Sequence, residues 1–332
     1  MPRPPRYLPE AAAQFEAVAS RVRPAARVSV VAHIKPDADA IGSACALAAG
    51  LRKLGTDAQV YIGQPLPHSS NMRTIPGVDE ILYDQPLPAN GLVVTVDCAS
   101  ADRTGSHMPA ILSDPSRVVV IDHHNTNPGF GGMNLIVESE STTVLVRELL
   151  GYLGAELDPD IAYGLYAGLV TDTGSFRWGT PRMHELAAEL MQFGLNTRQI
   201  AMDLMDTMGP VDLQLMGAVL SKTQIVPTKG FSLAVLTIPV GIHSRMSQTA
   251  VEAIIDYARS LEGTDVGVVL KEQAPKFWAM SLRSTVVDVS AVAQRLGGGG
   301  HRAAAGYSAA GSRDAIIREL IDAFPEHPSA HD

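Results

Sequence analysis

Short, nearly unbroken apolar runs alternate with helical patterns through the first two thirds of the chain. Residues 27–32, 58–62, 92–96 and 118–121 are rich in β-branched side chains and read as strands. Three of these runs are almost continuously apolar, the pattern of parallel strands covered on both faces. Residues 41–54 form an Ala- and Leu-rich helical stretch ended by Gly55, and helical periodicity returns at 142–153, at 158–169 and from 184 to about 193. This alternation predicts an α/β fold with a doubly wound, mostly parallel sheet. Residues 196–223 are helical and Met-rich, with a break at Gly209-Pro210, and read as a connector whose methionines pack an interface. Strand patterns resume at 231–238, 266–271 and 276–283. A helix at 289–296, the glycine run 297–300 and a last helix at 313–324 complete a second, smaller α/β domain. The expected organisation is a first domain over 1–195, a connector over 196–223 and a second domain over 224–332, with no solenoid-length repeat.

Composition narrows the class of protein. A chain of 332 residues, 46% hydrophobic and only 18% charged, can bury two cores and is a poor candidate for intrinsic disorder. Its 26 basic and 35 acidic side chains give a net charge of −9, which excludes a broad basic surface for long nucleic acid. Phosphate chemistry on such a chain needs a local reversal of sign, such as bound metal ions. Cys45 and Cys98 both sit in apolar stretches and are expected to be buried free thiols, as in a reducing compartment. Residues 1–10 are rich in Pro and Arg without the apolar core of a signal peptide, and no apolar run approaches the roughly 20 residues of a membrane span. The expected location is therefore the cytoplasm, with no membrane partner.

Candidate chemistry gathers where the predicted strands end. His33-Ile34-Lys35-Pro36-Asp37-Ala38-Asp39-Ala40-Ile41-Gly42-Ser43 places one imidazole and two carboxylates in the turn after the first strand. That is where open α/β sheets put their sites. A helix N-cap accounts for one of the two Asp residues, but not for the pair and a histidine. Asp97 ends the strand at 92–96, Asp122-His123-His124 follows the strand at 118–121, and Asp172 lies where a helical pattern gives way to a polar, glycine-containing turn. Asp97 alone fits an ordinary turn residue; the three consecutive ionisable groups at 122–124 fit packing less well, and four such signals on one sheet edge are stronger together. Hard oxygen donors with imidazoles and no thiolate pair suit Mn²⁺ or Mg²⁺ better than structural Zn²⁺. Four Asp with two or three His exceed the needs of one catalytic ion and suit two, about 3.5–4 Å apart and bridged by a carboxylate. The four glycines 297–300 followed by His301 allow a nest of backbone N–H groups for an anion, or a helix C-cap, which one glycine would satisfy. Arg283, at a strand end, is a candidate phosphate or base contact.

These motifs resemble those of the DHH phosphoesterases. His33, Asp37 and Asp39 with Gly42 and Ser43, then Asp97, the literal Asp122-His123-His124 and Asp172 are similar to the family's four motifs, and Gly297 to Gly306 resembles the signature of its associated substrate domain. Two domains at this length look most like the nanoRNase and pAp-phosphatase branch, whose actinobacterial members also degrade cyclic-di-AMP and pApA. The resemblance implies that His33 and Asp37 hold one Mn²⁺, that Asp39, His123 and Asp172 hold a second, and that Asp97 bridges them, with Mg²⁺ or Co²⁺ as substitutes. It further implies that Asp122 orients a neighbouring ligand and His124 contacts the scissile phosphate. Arg283, Gly298, Gly299, Gly300 and His301 are then substrate contacts. The expected activity is Mn²⁺-dependent hydrolysis of short oligoribonucleotides and linear dinucleotides such as pApA and pGpG to mononucleotides. Cyclic-di-AMP and 3′-phosphoadenosine 5′-phosphate are secondary candidates. The split between metal motifs and glycine run suggests domain closure over a short substrate, and the Met-rich connector leaves a homodimer open. The alternatives are a pyrophosphatase or exopolyphosphatase using related motifs, or a nucleotide sensor without catalysis.

Overall fold

The computed structural model describes residues 7–228 and 230–325, so residues 1–6 of the Pro- and Arg-rich start lie outside the described residues. The chain divides into two compact units, Met1–Thr207 and Met208–Asp332.

The first unit runs α1 (Ala12–Val22), β1 (Arg27–Ala32), α2 (Ala38–Lys53), β2 (Asp57–Ile62), β3 (Leu82–Tyr83), β4 (Leu92–Val96), α3 (Met108–Ser113), β5 (Val118–Asp122), β6 (Met133–Ile136), α4 (Thr142–Leu153), α5 (Pro159–Asp172), α6 (Pro181–Met191) and α7 (Thr197–Ala201), then a π-helical turn at Met202–Asp206. Its six strands lie in the order β3-β2-β1-β4-β5-β6. Every pairing is parallel. β4 and β5 are buried along their whole length and β1 along all but its first residue, as their unbroken apolar character requires in a sheet packed on both sides. The strand order reverses between β1 and β4, which makes their carboxyl ends the crevice where such sheets place ligands.

Two helices need glycine to meet. A Cβ on Gly42 of α2 would lie 2.2 Å from the carbonyl oxygen of Gly164 in α5, and one on Gly168 would lie 2.6 Å from Asp39 Oδ1. Gly42 of the first motif thus lets α2 lie close against a second glycine 122 positions away, in a helix whose sequence announced no such contact. Asp37 caps α2, its Oδ1 accepting from the Ala40 N–H, and the helix starts at Ala38 rather than at residue 41. α5 likewise runs three residues past its expected end at 169, because Thr171 and Asp172 still fit the last turn and Gly174, at φ 55°, is the residue that stops it. Asp172 is thus a helical residue and not a turn residue.

The second unit holds α8 (Pro210–Leu220), β7 (Gln224–Pro227), β8 (Ser232–Ile238), α9 (Val240–His243), α10 (Gln248–Arg259), β9 (Val266–Ala274), β10 (Phe277–Arg283), α11 (Val289–Arg295), β11 (Gly299–His301), β12 (Ala304–Ala310) and α12 (Arg313–Ala323). Its sheet is mixed, in the order β11-β12-β10-β9-β8-β7, with β8 and β9 parallel and the other pairs antiparallel. The second half of the glycine run, Gly299 and Gly300, is a strand and not a loop. A Cβ on Gly298 would come 2.1 Å from the Gly306 carbonyl oxygen and one on Gly300 2.5 Å from that of Ala304, so only glycine lets this chain lie against β12. Both cysteines are buried free thiols. Among the described residues no helix is long and apolar enough to cross a membrane.

Candidate metal centre

Within the first unit, the side-by-side strands β1, β4 and β5 bring His33, Asp97 and Asp122 out at one sheet edge, and the end of α5 adds Asp172. The ligand atoms fall into overlapping groups. His33, Asp37 and Asp97 offer one atom each within 4.8 Å of one another, and so do Asp39, His123 and Asp172. Asp97 joins the two: its Oδ2 lies 3.5 Å from His33 Nε2 and its Oδ1 3.5 Å from His123 Nε2. His123 Nε2 is also 3.4 Å from Asp172 Oδ2, and His33 Nε2 is 3.7 Å from Asp37 Oδ2. The N-cap and ligand readings of Asp37 are both served, since Oδ1 caps the helix while Oδ2 faces His33.

Backbone groups fix these side chains. His123 Nδ1 lies 3.1 Å from the Ser139 carbonyl and His33 Nδ1 2.9 Å from that of Ile34. An N–H donated at Nδ1 leaves Nε2 as the nitrogen that faces the carboxylates and would take a metal ion in place of a proton. Asp39 sits on the N-terminus of α4, accepting the N–H of Thr142 at 2.7 Å and of Thr143 at 3.0 Å. Ser141, the formal cap residue, makes no such bond, so a carboxylate from α2 caps this helix. Thr142 also donates its hydroxyl to Asp97 Oδ1 at 3.0 Å. Asp97 holds a left-handed backbone at φ 57°, a conformation Asp tolerates better than most residues.

Asp122 pairs with His124, whose Nδ1 is 2.9 Å from Oδ1. Its Oδ2 accepts from Asn127 Nδ2 at 2.7 Å, and the same amide reaches the Cys98 carbonyl at 2.9 Å. Asn127, Thr142, Thr143 and Arg103 (its Nη2 3.0 Å from His33 Nδ1) are site residues that the sequence pattern did not single out.

The electrostatics describe a cluster that wants cations. Burial, then the charges of Asp97 and Asp37, push the Asp39 carboxyl well above its usual range, against the opposing N–H bonds of α4. Burial and Arg103 disfavour a charged His33, yet Asp37 and Asp97 outweigh both and raise it to about 10. Asp97 is held far below the usual carboxylate range: burial opposes this, but the bond and charge of His33 and the charges of His123 and His124 prevail. Burial would lower His124 as well, but its bond to Asp122 and that carboxylate's charge raise it. Burial and the neighbouring His124 lower His123. Carboxylate and imidazole donors in two sets joined by Asp97, most of them buried, fit divalent ions such as Mn²⁺ or Mg²⁺. Chelator-treated protein is therefore expected to melt about 5–10 °C below protein with Mn²⁺ at a hundred times its Kd, measured by calorimetry. An unchanged melting temperature would count against metal at this cluster.

In the second unit, Arg283 and His301 flank Ala304 from either side, as register partners in β10 and β11. The two are thus brought to one end of that sheet. The expected glycine nest does not have all of its donors free. The N–H of Gly297 bonds the Gln294 carbonyl and that of Gly298 the Ala293 carbonyl, with Gly297 at φ 79°. This pair closes the C-terminus of α11, so the helix-cap reading takes two of the four expected donors.

Comparison with known proteins places these features in a family. The model of the DHH family N-terminal domain matches residues 27–169, and that of the DHHA1 domain matches residues 230–326. The bifunctional oligoribonuclease and PAP phosphatase NrnA of Thermus thermophilus is 30% identical over 310 residues, covering 90% of this chain and 89% of its own. An exopolyphosphatase-related protein from Bacteroides fragilis has a similar structure, with a TM-score of 0.79 at 22% identity over 94% of this chain and 95% of its own. RecJ from Thermus thermophilus, crystallised in complex with Mn²⁺, shares the fold at a TM-score of 0.54 and 16% identity, over 98% of this chain and 56% of its own.

Proposed function

The chain belongs to the DHH family, and on that premise we propose that its acidic cluster is the centre of a Mn²⁺-dependent phosphodiesterase. Its substrates are short oligoribonucleotides and linear dinucleotides, released as mononucleotides, with cyclic-di-AMP and 3′-phosphoadenosine 5′-phosphate as further candidates. The observation that carries this reading is Asp97, whose two oxygens face two separate histidine–carboxylate sets at 3.5 Å each. His33 and Asp37 would hold one ion and Asp39, His123 and Asp172 another, with Asp97 shared. Such ions supply charge neutralisation and a nucleophilic water at neutral pH. The chain's own residues do the rest. The Ile34 and Ser139 carbonyls hold the two ligand imidazoles in one tautomer, and the α4 N-terminus holds Asp39 in place. Asp122 orients His124 and favours its protonated form, leaving Nε2–H to donate to a phosphate oxygen. Arg283, His301 and the backbone of Gly299 and Gly300 are the proposed contacts to the remainder of the substrate, the Gly298 N–H being taken by the end of α11.

The net charge of −9 supports short substrates, because a long strand needs a continuous positive groove. The test is steady-state turnover of pApA, pGpG, cyclic-di-AMP, 3′-phosphoadenosine 5′-phosphate and pyrophosphate with Mn²⁺, with product identification. The expected result is mononucleotide release from the dinucleotides. Preferential turnover of pyrophosphate by orders of magnitude would overturn the assignment.

A further inference from the structure

We propose that Arg103 and Lys35 form an anion subsite beside the metal centre for a terminal phosphate monoester that is not itself cleaved. This rests on the phosphodiesterase reading above and names which part of the substrate the His33 side of the cluster takes.

Arg103 lies in the segment after β4, six positions beyond Asp97, and its carbonyl oxygen accepts the Ile34 N–H at 2.8 Å. That bond ties the loop after β4 to the loop after β1 and sets the half-buried guanidinium at the far edge of the His33 ring. There Nη2 is 3.0 Å from Nδ1, although Nδ1 already has the Ile34 carbonyl at 2.9 Å. A ring nitrogen cannot both donate to that carbonyl and accept from a guanidinium, which only donates. With Nε2 turned to Asp37 and Asp97, the ring gives Arg103 no acceptor.

Among the described residues neither Arg103 nor Lys35 has an ion-pair partner, although the carboxylates of Asp37 and Asp97 stand on the other side of the same imidazole. Lys35, two positions after His33, occupies a left-handed backbone at φ 52° and its N–H is anchored by Gln64 Oε1. Strained backbone at a non-glycine residue needs a surrounding structure to hold it, and such strain clusters at ligand sites. The Ile34–Arg103 backbone bond places Lys35 one residue from the point where the two loops join. Two neighbouring cations without a counter-ion are unfavourable alone and suit a ligand bearing two negative charges. A terminal phosphate monoester is a dianion near neutral pH, whereas the diester being cleaved carries one charge. An arginine fork also matches phosphate oxygens in pairs.

Affinity is read by calorimetry on Mn²⁺-loaded protein, using phosphorothioate-linked ApA with and without the 5′-phosphate. The wild type is expected to favour the 5′-phosphorylated ligand by about tenfold or more. Arg103→Ala is expected to abolish that preference and Arg103→Lys to keep part of it, with Mn²⁺ affinity unchanged in both. Equal affinity for the two ligands in the wild type, or a preference that survives Arg103→Ala, would overturn the subsite. So would a loss of Mn²⁺ affinity in Arg103→Lys, because Arg103 would then be a support for His33. A second pair, 3′-phosphoadenosine 5′-phosphate against 3′-AMP, reads the same preference when the terminal phosphate belongs to a mononucleotide. Turnover of oxygen-linked pApA and ApA is a separate reading: its absence would sink the phosphodiesterase assignment, while the affinity difference still decides the subsite.

Discussion

Asp97→Asn is expected to lower kcat by at least about a thousandfold, some 4 kcal/mol of barrier at about 1.36 kcal/mol per factor of ten. The reason is the way Asp97 is divided between two sets of donors. Thr142 donates its hydroxyl to Oδ1, so an amide in this place turns its oxygen to Thr142 and His123 and its NH₂ to His33. An NH₂ group cannot ligate a cation, and the His33–Asp37 set is left one donor short. Titration with Mn²⁺ should then find one ion per chain where the wild type finds two. Circular dichroism should be unchanged, because Asn tolerates the left-handed backbone at this position as readily as Asp. A variant that keeps two ions and more than about a tenth of wild-type turnover would show that Asp97 is not the shared ligand.

Asp122→Ala is expected to cost about a hundredfold in kcat without loss of metal, the upper end of what outer hydrogen-bond partners of such sites contribute. Asp122 touches His124 and Asn127, and its loss removes what keeps the His124 ring in place and charged. Burial alone lowers the pKa of His124; the bond and charge of Asp122 raise it. Where the wild-type ring stays protonated to higher pH, the variant's ring gives up its proton at lower pH. If protonated His124 donates to the phosphate, the alkaline limb of the kcat profile moves toward acid in Asp122→Ala. Asp122→Asn, which can still accept from Asn127, should fall between the two. A profile that does not move would remove the Asp122–His124 pair from the chemistry.

The parts of this molecule that were legible in its sequence are those set by local pattern. The runs that became β1 and β4 end where their apolar stretches end, because a strand buried on both faces admits few polar side chains. β3, with two residues, and β6, with a single fully buried residue, lie at the sheet margins and carry no such pattern. The site divides in the same way. His33, Asp37, Asp39, Asp97, Asp122, His123 and Asp172 were visible because several donors crowd predicted strand and helix ends. Thr142 and Arg103 were not, because each is an ordinary residue until the fold brings it to a partner 45 or 70 positions away. Gly298 misled in the opposite direction. A glycine run before a histidine suggests an anion nest, while the donors of Gly297 and Gly298 are occupied in ending a helix.

The left-handed backbone at Asp97 has a consequence for the substitutions this position can accept. Two independent filters act on one codon. Conformation admits Gly, Asn and Asp with ease and penalises the rest, while charge admits only Asp and Glu. Glycine passes the first filter and leaves His33 facing His123 with nothing between them. Glutamate passes the second, but it must bear the backbone penalty and place a longer arm where Thr142 already fixes one oxygen. The overlap is a single amino acid, so in sequence space Asp97 stands without a neutral neighbour.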